Sequence, residues 1–259
     1  MILERIAART RIRVEAQKEK MPLKKIKEAA LPSLRPFSFE KALSGDELAF
    51  ICEVKKASPS RGVIVHNFPY VKIAKEYEAA GAAAISVLTE PEFFLGSGEY
   101  LSQIKKNVSV PVLRKDFIID EYQIYESATL GADAILLICA LLDTNTLASF
   151  IRIADSLGLS CLAEAHNERE IASALAAGAR VVGVNNRDLR TFRVDLQNSV
   201  RLRPLVPAGV LFVSESGIKT PADTRALLKA GADAVLVGET LMLSKNKKEE
   251  LDRLKGVKE

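Results

Sequence analysis

Charged side chains stand in this sequence where apolar ones are expected. Glu53 and Lys55 close the apolar run 50–55, Lys115 falls near the end of 110–117, Glu164 near the end of 161–165 and Glu215 near the end of 211–216, while Asn185 ends a further apolar run. Burying any one of these charges alone is costly, so two lysines and three glutamates in such settings imply mutual compensation around a polar ligand. Proton transfer needs groups whose pKa can be tuned toward neutrality, which makes Lys55, Lys115 and Glu164 candidate acids and bases. Glu53 and Glu215 admit two readings, a reacting carboxylate or a structural ion-pair partner, and burial alone does not separate them.

Four self-similar phrases show which elements must carry these residues: Ala80-Gly-Ala-Ala-Ala-Ile-Ser-Val-Leu, Leu130-Gly-Ala-Asp-Ala-Ile-Leu-Leu-Ile, Ala177-Gly-Ala-Arg-Val-Val-Gly-Val-Asn and Ala230-Gly-Ala-Asp-Ala-Val-Leu-Val-Gly. Each reads as a helix stopped by glycine and followed by a short strand. The strands are almost continuously apolar, as parallel strands covered on both faces must be. With the four runs named above they make eight strands, and the segments 71–80, 121–130, 144–157, 168–177 and 221–230 carry helical periodicity.

Eight strand-then-helix units in about 200 residues fit a single (β/α)8 TIM barrel in the α/β class better than an open doubly wound sheet. The first strand runs into Lys55-Lys-Ala-Ser-Pro-Ser-Arg-Gly62, with neither a dinucleotide fingerprint nor a P-loop. The barrel is expected over 48–259. Residues 1–47 differ in character, with a charged amphipathic helix over 3–20 and a shorter one over 23–30, and read as an N-terminal helical extension covering part of the barrel.

In such a barrel the reactive groups gather at the carboxyl ends of the strands. Period-two alternation places Glu53 and Lys55 on one face, opposite Cys52 and Val54, and brings Lys115, Glu164, Asn185 and Glu215 to the same mouth. Arg114 and Asp116, on either side of Lys115, should face the helices and brace the strand. Small residues in Ser214-Glu-Ser-Gly-Ile218 and Val237-Gly-Glu-Thr240 would expose backbone N–H groups to a phosphate, although a single glycine is ordinarily just a turn. Residues 58–62 form a polar loop able to fold over the mouth as a lid. Phe93, Phe94 and Phe117 lie just past the second and third strand ends, placed either to wall an aromatic substrate or to fill core.

Composition narrows the partners. A net charge of +4 over 259 residues, with basic and acidic residues interspersed, is too weak to imply nucleic acid. No uncharged stretch reaches the roughly 18–20 residues of a membrane helix, and no export signal opens the chain. Cys52, Cys139 and Cys161 sit in apolar runs and read as buried thiols of a reducing compartment, the cytoplasm. Only two histidines, His66 and His166, are available, too few for the usual zinc ligand sets, so neither metal nor cofactor is expected. The expected partner is a small phosphorylated molecule, and the expected assembly a monomer or weak homodimer.

The motifs Glu53-Val-Lys-Lys-Ala-Ser-Pro-Ser-Arg-Gly62, Ser86-Val-Leu-Thr-Glu-Pro91 with Phe93-Phe94, Leu113-Arg-Lys-Asp-Phe117, Glu164-Ala-His166, Gly183-Val-Asn-Asn-Arg-Asp-Leu189 and Ser214-Glu-Ser-Gly-Ile218 follow one another along the chain. In order and spacing this set resembles the indole-3-glycerol-phosphate synthase family of tryptophan biosynthesis, and the N-terminal helices resemble that family's extra helices. The resemblance implies closure of 1-(2-carboxyphenylamino)-1-deoxyribulose 5-phosphate to indole-3-glycerol phosphate with loss of carbon dioxide and water. It implies Lys115 as general acid, Glu164 as the carboxylate that stabilises the cationic ring and acts as base, Lys55 on a substrate anion, and Glu53 orienting Lys55. Asn185 and Arg187 would position the ribulose hydroxyls and carboxylate, with Ser58, Phe94, Phe117 and Glu215 completing the substrate site. Ser216, Gly217, Gly238 and Glu239 would cradle the phosphate through side-chain and backbone donors, Gly238-Glu239 departing mildly from the serine-containing form often seen there. From the residue types alone, two alternatives stay open: a Schiff-base aldolase using Lys115 or Lys55, and a phosphate-ligand binding module without turnover.

Overall fold

Helices open the chain: α1 (Ile2–Lys20), α2 (Leu23–Ala29) and α3 (Ser38–Leu43) precede the first strand, β1 (Ala49–Val54). A small hairpin of β2 (Ala57–Ser58) and β3 (Gly62–Val63) follows it. Strand and helix then alternate through α4 (Tyr70–Ala79), β4 (Ala84–Leu88), α5 (Gly98–Lys105), β5 (Val112–Lys115), α6 (Glu121–Leu130), β6 (Ala134–Ile138), α7 (Thr144–Ser156), β7 (Ser160–Ala165) and α8 (Glu168–Ala176). The chain finishes with β8 (Val181–Asn185), α9 (Gln197–Leu202), β9 (Leu211–Glu215), α10 (Pro221–Lys229), β10 (Ala234–Val237), α11 (Glu239–Leu243) and α12 (Lys247–Lys255). The computed structural model describes residues 2–256; positions 1 and 257–259, the outer ends of the two expected segments, lie outside it.

Among the described residues the eight long strands pair in parallel and close into a barrel, β10 returning to β1 with Cys52 beside Val237. This is the single (β/α)8 barrel that the repeated phrases predict. Gly81, Gly131, Gly178 and Gly231 all take positive φ at the helix ends, a conformation that costs glycine nothing and an L side chain about 1–2 kcal/mol. The next helix is commonly started by a side-chain cap. Asp120, Asp143 and Asn167 accept backbone N–H groups at the starts of α6, α7 and α8, and Thr220 with Asp223 forms a capping box on α10.

The core has two parts. Alternate strand residues such as Phe50, Ile85, Val112 and Val182 face the helices, while Ile51, Leu113, Leu162 and Val213 fill the barrel interior. Into the interior also reach Leu3 of α1 and Phe39 and Leu43 of α3. Helix α3 was not among the predicted elements, because six residues give no periodicity to read. Its place is decided by long-range contacts: Phe39 and Leu43 are fully buried one turn apart, and Glu40 pairs with Arg180 at 2.9 Å.

Ser38 Oγ donates to Asp133, just before β6, at 3.3 Å, so α3 plugs the end of the barrel at which the strands begin. α1 is tied to the opposite end through Arg13 on Asp116 at 2.8 Å and Lys18 on Asp120 at 2.7 Å. Phe39→Ala is therefore expected to lower unfolding stability by about 3–5 kcal/mol, through lost burial plus a cavity. Urea denaturation measures it, and a loss below about 1 kcal/mol would show that α3 does not act as a plug.

Candidate active site

Each strand presents its last inward residue to the mouth. On β1 the alternation puts Glu53 and Lys55 side by side, and the Lys55 ammonium hydrogen-bonds the Glu53 carboxylate. At the end of β5, Lys115 Nζ lies 3.2 Å from Glu164 Oε2 on β7 and 3.0 Å from Glu215 Oε2 on β9. Neither oxygen of Glu215 accepts a well-directed hydrogen bond, although both are buried. A buried carboxylate left in that state marks a site that a bound donor would complete.

The electrostatics follow from one ammonium shared among several carboxylates. Burial pulls the Lys115 pKa down, but Glu215, Glu164 and Glu53 more than reverse this and raise it above the ordinary lysine range. For Glu164 burial acts upward, and the charges of Lys115 and His166 with hydrogen bonds from Lys115 and Asn185 outweigh it, leaving the carboxyl below its usual range. Glu215 is pushed up to about 7, by burial first and by Glu164 and Glu53 next, against the pull of Lys115. The mouth therefore holds a charged acid, an ionised carboxylate and a carboxyl that is readily protonated.

The residues beside Lys115 turn away from the barrel axis, as expected. Arg114 donates to Asp116 at 3.0 Å, Glu126 at 2.7 Å and the Gln123 carbonyl at 3.1 Å, bracing β5 against α6. Asn185 accepts the Arg187 N–H at 3.0 Å, which fixes the turn after β8. Next to it the buried Asn186 donates to Ser214 Oγ at 3.0 Å and to the Ser216 carbonyl at 3.1 Å, so it shapes the turn after β9. Ser216 and Gly217 there take successive positive φ values of 68° and 89°. Thr240 Oγ1 donates to the Ile218 carbonyl at 2.7 Å and ties this turn to the start of α11. A Cβ on Gly238 would strike the Glu53 carboxylate and come within 3.0 Å of Lys55 Nζ, so any larger residue there would have to displace the Glu53–Lys55 pair.

These groups enclose a cavity of about 360 Å3, at the lower end of the range for small-molecule sites. All of the candidates line it: Glu53, Lys55, Lys115, Glu164 and Asn185; Ser58, Phe94, Phe117, Arg187 and Glu215; and Ser216, Gly217, Gly238 and Glu239. Phe94 and Phe117 face each other with ring centres 6.0 Å apart. Phe93 does not line the cavity and instead lies under Arg5 of α1. The Glu239 carboxylate is engaged by Arg61 of the polar loop at 2.5 Å, and that loop is organised by the short β2–β3 hairpin.

Several lining residues have no counterpart among the predicted ones, notably Ile2, Leu3 and Ile6 of α1, Leu189, Phe192 and Val194 after β8, and Lys219 after β9. An apolar stripe on an amphipathic helix signals contact with something, but not with what. Among the described residues no group of three or more His, Cys, Asp or Glu side chains is disposed to hold a metal ion. No described helix is long and apolar enough to cross a membrane.

Comparison with known proteins covers nearly the whole chain. The indole-3-glycerol phosphate synthase family model matches residues 3–254. Indole-3-glycerol phosphate synthase of Ruminiclostridium cellulolyticum is 63% identical, over 99% of each chain, and that of Endomicrobium trichonymphae is 58% identical over 98% of this chain and 100% of its own. Among solved structures, 3-hexulose-6-phosphate synthase from Salmonella typhimurium superposes with a TM-score of 0.66 at 15% identity, covering 81% of this chain and 98% of its own, which is a likeness of fold alone. With near-full-length identity of this order added to a barrel mouth built from the motif residues, the chain belongs to the indole-3-glycerol phosphate synthase family.

Proposed function

We propose that this protein closes the ring of 1-(2-carboxyphenylamino)-1-deoxyribulose 5-phosphate to form indole-3-glycerol phosphate, releasing carbon dioxide and water, in tryptophan biosynthesis. The observation that carries the reading is the Lys115 ammonium held between Glu164 and Glu215 in a cavity walled by Phe94 and Phe117. Ring closure needs an acid at the ketone, a base for the dehydration and an aromatic-sized slot, and the mouth has a group suited to each.

Lys115 gives its proton to the ketone oxygen as the ring carbon bearing the carboxylate attacks the ketone carbon. Loss of carbon dioxide returns an electron pair to the ring and restores its aromaticity. Lys55 protonates the hydroxyl left at the new bond, which departs as water, while Glu164 takes the proton from the adjacent carbon. Before that step the Glu164 carboxylate stabilises the cationic ring. Glu53 orients Lys55, and Asn185 and Arg187 position the ribulose hydroxyls and the carboxylate.

The phosphate is assigned to the backbone donors of Ser216-Gly217 and Gly238-Glu239, which line the same cavity next to Lys55. Because the Glu239 carboxylate is engaged by Arg61, the contribution at that position is the backbone N–H. A Schiff-base lysine needs its neutral amine, and the carboxylates around Lys115 favour the ammonium instead, which counts against the aldolase alternative. The three buried, free cysteines accord with a cytoplasmic enzyme, and we assign it to act there as a monomer or weak homodimer.

The direct test is an assay of the purified protein with the carboxyphenylamino-deoxyribulose phosphate, following indole fluorescence, alongside borohydride trapping. Product without a covalent adduct supports the reading, and an adduct without indole product refutes it. In Lys115→Ala, kcat should fall by about 10²- to 10⁴-fold with KM nearly unchanged, because the proton is needed in the transition state. A raised KM with normal kcat would contradict that role. Glu164→Gln should lose turnover on a similar scale, about 10²- to 10⁴-fold, with an unchanged circular-dichroism spectrum, and near-normal turnover would remove Glu164 from the mechanism.

Glu215 supplies a check on the electrostatics. Its pKa rises on folding from 4.5 to about 7, so wild-type stability declines relative to a neutral side chain as pH climbs through that interval and levels off above it. Unfolding midpoints of Glu215→Gln and wild type should therefore diverge in favour of Gln between those pH values. A difference independent of pH would mean that Glu215 is not destabilised in its charged form.

A further inference from the structure

Next to Glu164, and not among the residues that line the cavity, lies an imidazole that the proposed mechanism does not use. His166 Nδ1 is 3.1 Å from Glu170 Oε2 on α8, and its Nε2 is 3.7 Å from Glu164 Oε1. The same Glu170 oxygen accepts the His166 backbone N–H at 2.8 Å, and Glu170 Oε1 accepts from the Asn167 side chain at 2.7 Å, so Glu170 is held by three donors. Asn198 of α9 donates to the His166 carbonyl at 3.2 Å and fixes the backbone from the other side. The Nε2 atom is buried and has no hydrogen-bond partner. The imidazole is thus anchored at Nδ1 and directed at Glu164 through Nε2.

We propose that His166 is a positioning residue for ring closure, its imidazolium bridging Glu170 and Glu164 so that the Glu164 carboxylate keeps a cationic partner when Lys115 turns to the substrate. The proposal rests on the assignment of Glu164 as base and Lys115 as acid. Lys115 Nζ is 3.2 Å from Glu164 Oε2. Once Lys115 engages the ketone and passes on its proton, that ammonium no longer offsets the buried Glu164 charge. A buried carboxylate without a counter-charge takes up a proton and ceases to be a base. The other oxygen of Glu164, Oε1, is 3.7 Å from His166 Nε2, so the imidazolium is a second counter-charge beside the carboxylate that does not depend on Lys115.

The groups facing the imidazole favour its charged form. Glu164 on β7, Glu170 on α8 and Glu215 on β9 all act on it; burial lowers its pKa, and these carboxylates, led by the Glu170 hydrogen bond, more than reverse this. Asp188, in the segment between β8 and α9, also feels the His166 charge. Because the folded pKa is raised, the imidazolium is present at lower pH and its contribution is lost as pH rises through that raised value.

The test uses full-length wild type, His166→Gln and Glu170→Gln, with kcat and KM measured against pH and the two imidazoles followed by proton NMR. His66 and His166 are the only histidines, so the His166→Gln spectrum assigns both resonances. In wild type the His166 resonance should titrate above the ordinary value of about 6.5, and Glu170→Gln should lower that titration. His166→Gln should reduce kcat by about tenfold or more with KM nearly unchanged, and Glu170→Gln should move the alkaline fall of kcat to lower pH. Unchanged kcat in His166→Gln at every pH, or a His166 titration at or below the ordinary value, overturns the proposal while leaving the ring-closure reading intact. Absence of indole product from wild type fails that reading instead. If His166→Gln does not fold, the pH profile and NMR titration of Glu170→Gln decide alone, an unmoved alkaline limb being the refuting result.

Discussion

One ammonium among carboxylates sets the terms for this molecule. Lys115 is almost wholly enclosed at the end of β5, within 3.2 Å of Glu164 and 3.0 Å of Glu215, and the second lysine, Lys55, is taken up by Glu53. In a low-dielectric mouth no member of this group can be removed or neutralised without moving the others, because each charge is tolerated only through its neighbours. The outcome is a division of labour between chemically identical side chains: Glu164 is held ionised by Lys115 and His166, while Glu215 is pushed toward its protonated form.

The rest of the barrel holds that group in register. Arg114 locks β5 to α6 from outside, Asn186 shapes the turn after β9 from beneath, and Thr240 joins that turn to the start of α11. Arg114 and Asn186 are buried and Thr240 is half-buried, and each spends hydrogen bonds on a neighbouring element, which costs little once satisfied and fixes geometry closely. Gly238 allows the backbone to pass beside the Glu53–Lys55 pair. Stability and chemistry therefore share the same atoms, and Glu215, a buried carboxyl pushed toward its protonated form, is where stability has been given up.

The N-terminal helices complete both ends of the barrel. At one end α3 inserts Phe39 and Leu43 into the interior, and at the other α1 brings Ile2, Leu3 and Ile6 to the cavity while Arg13 reaches Asp116, next to Lys115 in the chain. Any displacement of α1 would be felt at β5 through that ion pair, which links the outermost helix to the most constrained residue of the mouth.

Much of this was legible along the chain. The glycine-terminated helix phrases and continuous apolar runs determine the strand count and the parallel closed sheet, since strands buried on both faces leave few other arrangements. Strand alternation determines that Glu53 and Lys55 share a face and that Arg114 and Asp116 turn outward, because the side-chain period is two residues whatever the fold. Helix α3, the small hairpin after β1 and the apolar lining from α1 were not legible, being short segments whose conformation depends on partners far away in sequence. Nor does any linear pattern show that Glu164 is held ionised while Glu215 is pushed toward its protonated form, or place His166 between Glu170 and Glu164. Those distinctions arise only when β5, β7, β9 and α8 are brought together, because a pKa is a property of the surrounding charges and burial and not of the residue type.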